Sequence, residues 1–176
     1  MHVDVRRDSL AWCALALGAL LAPALRADES RAPDFTLPRL AGGEAFALSS
    51  LAGRVVLVDF WASWCTPCRH SLPAYDSLYA ALGPRGFEVV AINLDESADD
   101  ATGFLAENPL TYVVVRDAAG DSARAYGVRG MPSSYLVACD GTIRSRAAGF
   151  RTQELAALRA RIESLLEESD CNAPAG

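Results

Sequence analysis

Cys65 and Cys68 stand two residues apart in Trp64-Cys65-Thr66-Pro67-Cys68, after the apolar run of residues 55–61 and at the start of a helical pattern. A strand that delivers two cysteines to a helix N-terminus makes a redox device. Cysteine attacks as the thiolate, and the positive end of a helix stabilises that anion. A free thiol has a pKa of about 8.5, and such placement lowers it to ~7 or below. The three-residue step puts both sulfurs on one helical turn, within reach of a disulfide. The chemistry to expect is disulfide exchange with another protein. Cys65, nearer the helix start, is the expected nucleophile, and Cys68, one turn deeper, the resolving thiol.

Two other readings of such a pair are a structural disulfide and half of a zinc site. Zinc needs a second ligand pair, and Cys139 and Cys171 are not spaced as one. A c-type haem needs His directly after the second cysteine, but Arg69 stands there and His70 comes one place late. Neither a metal nor any cofactor beyond the cysteine pair is expected. Asp59 is the one charge in the run of residues 55–61, and burying it is costly unless it has a task. The expected task is to accept the Cys68 proton during resolution, with a pKa raised by burial. The plainer reading is a carboxylate fixed by backbone hydrogen bonds.

The elements that must position these residues alternate along the chain. Residues 32–37 and 44–48 flank Ala41-Gly42-Gly43 as a hairpin. Residues 54–61 form a strand buried on both faces. A helix is expected over residues 65–82 with a kink at Pro73. Next come a strand at 86–94, a helix at 98–107 stopped by Asn108-Pro109, a strand at 111–115 and a short helix at 121–126. Strands at 134–138 and 142–148 pair across Cys139-Asp140-Gly141. A last helix at 152–168 carries Leu155, Leu158, Ile162, Leu165 and Leu166 on one face. Strands and helices in this order make an α/β fold around a central mixed sheet flanked by helices.

The 176 residues, 51% apolar, suffice for one domain with short extensions. A net charge of −6, with all 16 basic residues arginine, leaves no basic stripe for phosphates and argues against nucleic acid. Residues 1–27 read as an export signal: Arg6 and Arg7 precede an apolar stretch at 10–25, and small residues follow at Ala22, Ala24 and Ala27. The expectation is cleavage after Ala24 or Ala27 and a periplasmic product; the alternative is an uncleaved anchor in the inner membrane. A linker at 28–32, a domain at 33–168 and a tail at 169–176 complete the chain. Without the signal, which holds three arginines and two aspartates, the net charge is −7, and Cys65, Cys68, Cys139 and Cys171 remain. An even number of cysteines in an exported protein permits disulfides.

With these residues in view, the sequence resembles the thioredoxin superfamily. Residues 58–65, Val-Asp-Phe-Trp-Ala-Ser-Trp-Cys, look like that family's strand into the active site, including its buried aspartate at Asp59. Pro73 matches the helix proline, and residues 126–132 match the segment that ends in a cis-proline, here Pro132. The resemblance implies that the backbone of Met131 pairs with an extended substrate, and that Trp64, Thr66 and Pro67 border the attacking sulfur. Within the superfamily the exported TlpA/ResA-like oxidoreductases, which are related to DsbE, are most similar. The segment 32–37 looks like their N-terminal hairpin, and the stretch from Asp95 to Pro132 has room for their extra helix and strand. Glu96 matches an acidic residue near the active site of ResA-like members. Ser133 stands where the DsbE/CcmG type places Glu, a departure from that subgroup.

The resemblance implies a monomeric reductant of protein disulfides acting on apocytochrome c or copper-assembly cysteines, in cytochrome c maturation or cytochrome oxidase assembly. A membrane thiol transporter would supply its electrons. An oxidase or isomerase of the same fold is the first alternative, because Thr66-Pro67 influences the potential without fixing it. A metallochaperone is the second, but related copper chaperones space their cysteines by three and add a distant histidine. A peroxidase lacks support, since Trp-Cys-x-x-Cys replaces the Thr/Ser-to-Cys arrangement. Cys139 and Cys171 lie outside the resemblance. Matching lengths of the returning strand and last helix bring them to the far end of the domain, where a structural disulfide is expected.

Overall fold

The computed structural model describes residues 30–168. A short hairpin, β1 (Thr36–Pro38) and β2 (Ala45–Ala47), precedes the central sheet. That sheet is built from β3 (Val55–Trp61), β4 (Phe87–Asn93), β5 (Val113–Arg116), β6 (Ser133–Val137) and β7 (Ile143–Ala148), in the order β5-β4-β3-β6-β7. β3 pairs in parallel with β4 and antiparallel with β6, so the sheet is mixed. Central position explains why β3 is apolar throughout except at Asp59: both of its faces are covered and every residue is buried.

The pleat of β3 divides its side chains between two cores. Val55, Leu57 and Trp61 face α1 (Cys68–Leu82), α2 (Ala98–Glu107) and α4 (Leu155–Glu167). Val56, Val58 and Phe60 face the hairpin and α3 (Asp121–Tyr126). Asp59 therefore sits on the α1 side, between Leu57 and Trp61 in the alternation. α1 presents Cys68, Leu72, Tyr75, Leu78 and Leu82 to this core, at the spacing of one helical face. On α4, Ile162, Leu165 and Leu166 are buried, while Leu155 and Leu158 are partly buried against the same core.

Several boundaries shift from the sequence expectation, and the first hairpin strand is confined to Thr36–Pro38 instead of spanning residues 32–37. Helix α1 begins at Cys68, not Cys65, because residues 62–68 form turns: the Cys65 N–H donates to the Ala62 carbonyl at 3.1 Å and the Cys68 N–H to that of Cys65 at 3.0 Å. The helix then runs on through Pro73, whose ring nitrogen has no proton for the Arg69 carbonyl one turn earlier. Strand β5 starts at Val113 because Thr111 is occupied elsewhere, donating from its N–H and its hydroxyl to Asp76 Oδ1, both at 2.8 Å. The last helix opens as a 3-10 turn at Thr152–Glu154 before α4.

The first described residues are tied to the β6–β7 turn: the Ile143 N–H donates to the Ser30 carbonyl and the Ala32 N–H to that of Gly141. Gly141 adopts φ +84°, a left-handed conformation that L side chains rarely take. Among the described residues no helix is long and apolar enough to cross a membrane. Residues 1–27, expected from the sequence to direct export, lie outside them.

Candidate active site

Strand β3 ends at Trp61, and the chain continues from its C-terminal end through Ala62, Ser63 and Trp64 to the cysteines. Cys65 and Cys68 are joined as a disulfide, with an S–S distance of 2.01 Å and Cα atoms 5.3 Å apart. The Cys68 backbone N–H donates to Cys65 Sγ at 3.3 Å. That donor comes from the first turn of α1, where helical N–H groups lack intrahelical acceptors, and it favours negative charge on Cys65 over Cys68. Cys65 is 4% exposed and Cys68 0%, so the first cysteine is the more accessible of the two. Trp64, Thr66 and Pro67 are all exposed around it, and Trp64, at 70%, is the exposed large hydrophobic residue of the described chain. His70 is exposed on α1.

The Met131–Pro132 peptide is cis. Ser133 pairs with Phe60 across the sheet, which puts Pro132 level with the end of β3, where the redox turn departs. Met131 is partly buried, against both cores. Beneath this surface lies Asp59, fully buried, with neither carboxylate oxygen hydrogen-bonded. Burial pushes its pKa well above the usual carboxylate range. The plainer sequence reading, a carboxylate held by backbone hydrogen bonds, does not hold: the sheet satisfies its own backbone and leaves this side chain without donors. Asp59 also raises the pKa of Tyr75, already elevated by burial, so it faces the stripe of α1 that carries Cys68.

The acidic segment after β4 divides in a way the sequence did not disclose. Glu96 is exposed and takes part through its backbone carbonyl, which accepts from Arg116 Nη2. Asp95, by contrast, is 1% exposed. Its carboxylate accepts from the Ser63 N–H at 2.9 Å, the Ser63 hydroxyl at 3.0 Å and Asn93 Nδ2 at 2.7 Å. Along the chain Asp95 stands among the acidic residues Glu96, Asp99 and Asp100, and the one hint of its burial is Asn93, a polar residue closing an apolar strand. Arg69 secures the same turn from α1, donating to the Ser63 carbonyl at 3.4 Å and stacking over Phe104 of α2 at 5.0 Å. Among the described residues no group of three or more His, Cys, Asp or Glu side chains is disposed to hold a metal ion. Cys139 lies at the opposite end of the sheet, where its carbonyl accepts from the Gly53 N–H just before β3. Cys171 lies outside the described residues.

A five-stranded mixed sheet flanked by helices, with a Cys-x-x-Cys disulfide at a helix start beside a cis-proline, defines a thioredoxin-fold thiol–disulfide oxidoreductase. The chain belongs to the AhpC/TSA family, whose model matches residues 29–146, and within it is similar to ResA and DsbE proteins. Thiol-disulfide oxidoreductase ResA of Geobacillus thermodenitrificans (strain NG80-2) is 33% identical over 125 residues, 71% of each chain. A crystal structure assigned as thiol:disulfide interchange protein DsbE from Chlorobium tepidum is 43% identical with a TM-score of 0.75, covering 78% of this chain and 96% of that one. The thioredoxin domain of a thiol-disulfide oxidoreductase from Bacteroides vulgatus is 26% identical with a TM-score of 0.71, covering 81% and 99%. The similarity to DsbE holds despite Ser133 in place of that subgroup's glutamate.

Proposed function

We propose that this chain is an exported reductant of protein disulfides, with Cys65 as nucleophile and Cys68 as resolving thiol. The observation that carries the assignment is the Cys68 N–H on Cys65 Sγ, on the cysteine that is also the more exposed. In the reduced protein the Cys65 thiolate attacks one sulfur of a substrate disulfide. A Cys65–substrate bond forms, the substrate S–S bond breaks, and the other substrate sulfur leaves as thiolate. Cys68 then gives its proton to Asp59 and attacks Cys65 Sγ, which releases the second substrate thiol. Two electrons pass to the substrate and the Cys65–Cys68 disulfide remains. Its pKa, raised by burial, makes the ionised Asp59 a stronger base than a surface carboxylate.

The exposed Trp64, Thr66 and Pro67 give an apolar collar on which an extended polypeptide rests, with Met131 next to Pro132 as the backbone that pairs with it. The residue pattern at 1–27 supports export to the periplasm. In that compartment a reductant needs a donor, and a membrane thiol transporter is the class that supplies electrons there. Apocytochrome c and copper-assembly cysteines are the substrates we assign, from the similarity to exported TlpA/ResA-like proteins.

Turnover of an insulin-like disulfide and the equilibrium potential against glutathione test the reading together. Cys65→Ser should abolish turnover, whereas Cys68→Ser should accumulate mixed disulfides. A potential near −270 mV or lower is expected, and one near about −120 mV would make the protein an oxidase. Full activity in Cys65→Ser would overturn the choice of nucleophile.

A further inference from the structure

The turn that carries Cys65 is held from below by a buried charge. Ser63 lies two residues before Cys65, in the turn closed by the Cys65 N–H on the Ala62 carbonyl. Both the N–H and the hydroxyl of Ser63 donate to Asp95, 32 residues further along the chain. Asp95 is fixed in turn: Asn93 donates to its carboxylate through Nδ2 and accepts its backbone N–H through Oδ1 at 3.1 Å. Arg116, at the end of β5, donates through Nη2 to the carbonyls of Asp95 and Glu96. A carboxylate accepting several charge-assisted bonds in a buried place holds its partners closely. Nothing in disulfide chemistry itself requires an anion there.

We propose that Asp95 is a positioning residue for the redox reaction, one that orients the Cys65 turn through Ser63 and sets the thiol–disulfide balance by its charge. The inference rests on Cys65 being the nucleophile. A fixed anion near Cys65 disfavours the thiolate, so it holds the pair toward the disulfide and makes the dithiol the stronger reductant. The guanidinium of Arg116, bound to the backbone of the same segment, opposes that effect. The other charged groups around the turn are Arg69 from α1, which binds the Ser63 carbonyl, Glu96 next to Asp95, and Asp59 of β3, buried beneath the cysteine pair. Asp99 and Asp100 of α2 line the groove beside Ser63 and Trp64. Only Asp95 is buried and bonded to the turn through its charge.

The test uses the full-length protein and the glutathione redox equilibrium, with the thiolate absorbance of Cys65 followed against pH. Asp95→Asn keeps an acceptor for the Ser63 N–H and removes the charge. It should move the equilibrium constant about tenfold toward the dithiol, about 30 mV, and lower the thiolate midpoint. Arg116→Gln leaves Asp95 in place and removes the opposing charge, and should move both readouts the other way. A merely structural role would loosen the turn in both variants without this opposition of sign. Asp95→Asn within twofold of wild type in both readouts overturns the proposal, and so do shifts of the same sign in the two variants. If Asp95→Asn fails to fold, an Arg116→Gln equilibrium unchanged or shifted toward the dithiol overturns it alone. Wild-type protein that does not equilibrate with glutathione would instead sink the proposed function.

Discussion

Asp59 carries two carboxylate oxygens into the middle of the sheet with no donor for either. A buried charge in that state is destabilising, so burial raises the Asp59 pKa well above the usual carboxylate range. Asp59→Asn removes the acceptor for the Cys68 proton while keeping the shape. Resolution of the mixed disulfide should slow about 100-fold, the lower end of what a positioned base contributes, while initial attack by Cys65 changes little. Stopped-flow traces with both phases unchanged would leave Asp59 no part in proton transfer. The same substitution should stabilise the fold, with a defined pH dependence. Because the native pKa lies above the unfolded value of about 3.9, wild type loses stability as pH rises from about 4 through the native pKa, and is level beyond it. The advantage of Asp59→Asn in urea denaturation should therefore be absent near pH 3, grow with pH, and reach a plateau. A constant advantage would mean that the carboxylate does not change its protonation on unfolding.

Among the elements, α4 and the β6–β7 hairpin meet at the end of the sheet remote from the disulfide. Arg144 of β7 pairs with Asp140 in the turn at 3.3 Å and with Glu168, just past α4, at 3.7 Å. The end of the last helix is thus brought beside Cys139-Asp140-Gly141. Cys171 is three residues beyond Glu168, a stretch that spans up to about 10 Å when extended. We propose that Cys139 and Cys171 form a structural disulfide in the exported protein. Closing roughly 32 residues would contribute about 3–4 kcal/mol by the loop-entropy model. Non-reducing peptide mapping should recover the two cysteines in one linked peptide, and reducing both should lower the melting temperature. Free, alkylatable thiols at both positions would sink the idea.

At the scale of the whole molecule, the redox turn and the β6–β7 turn lie at opposite ends of the sheet. Trp64, Thr66 and Pro67 are exposed at the redox turn, while the end of α4 meets Arg144 of β7 through Glu168. The chain ahead of the described residues is expected to direct export. The intact mass of protein released from the periplasm should correspond to a chain beginning at Leu25 or Asp28, after cleavage behind Ala24 or Ala27. Full-length mass in the membrane fraction alone would make residues 1–27 an anchor.

The sequence by itself determined what depends on neighbours along the chain. The apolar run of β3, the cysteine spacing and the periodicity of α1 and α4 are local patterns, and they sufficed for the fold class and the redox pair. The bounds of α2 and α3, set by Ser97 as the α2 cap and Gly127 after α3, were also legible. Tertiary structure alone decided what depends on partners distant in sequence. Asp76 holds Thr111 out of β5 from 35 residues away. Asp95 looks like its solvated neighbours Glu96, Asp99 and Asp100 until Ser63, 32 residues earlier, folds over it and supplies the donors that make its burial tolerable. The isolation of Asp59 has the same origin: composition shows an aspartate among apolar residues, but only the packing of α1 against β3 removes water from it. A buried charge is a property of what surrounds it, and those surroundings are assembled from segments that the sequence does not place side by side.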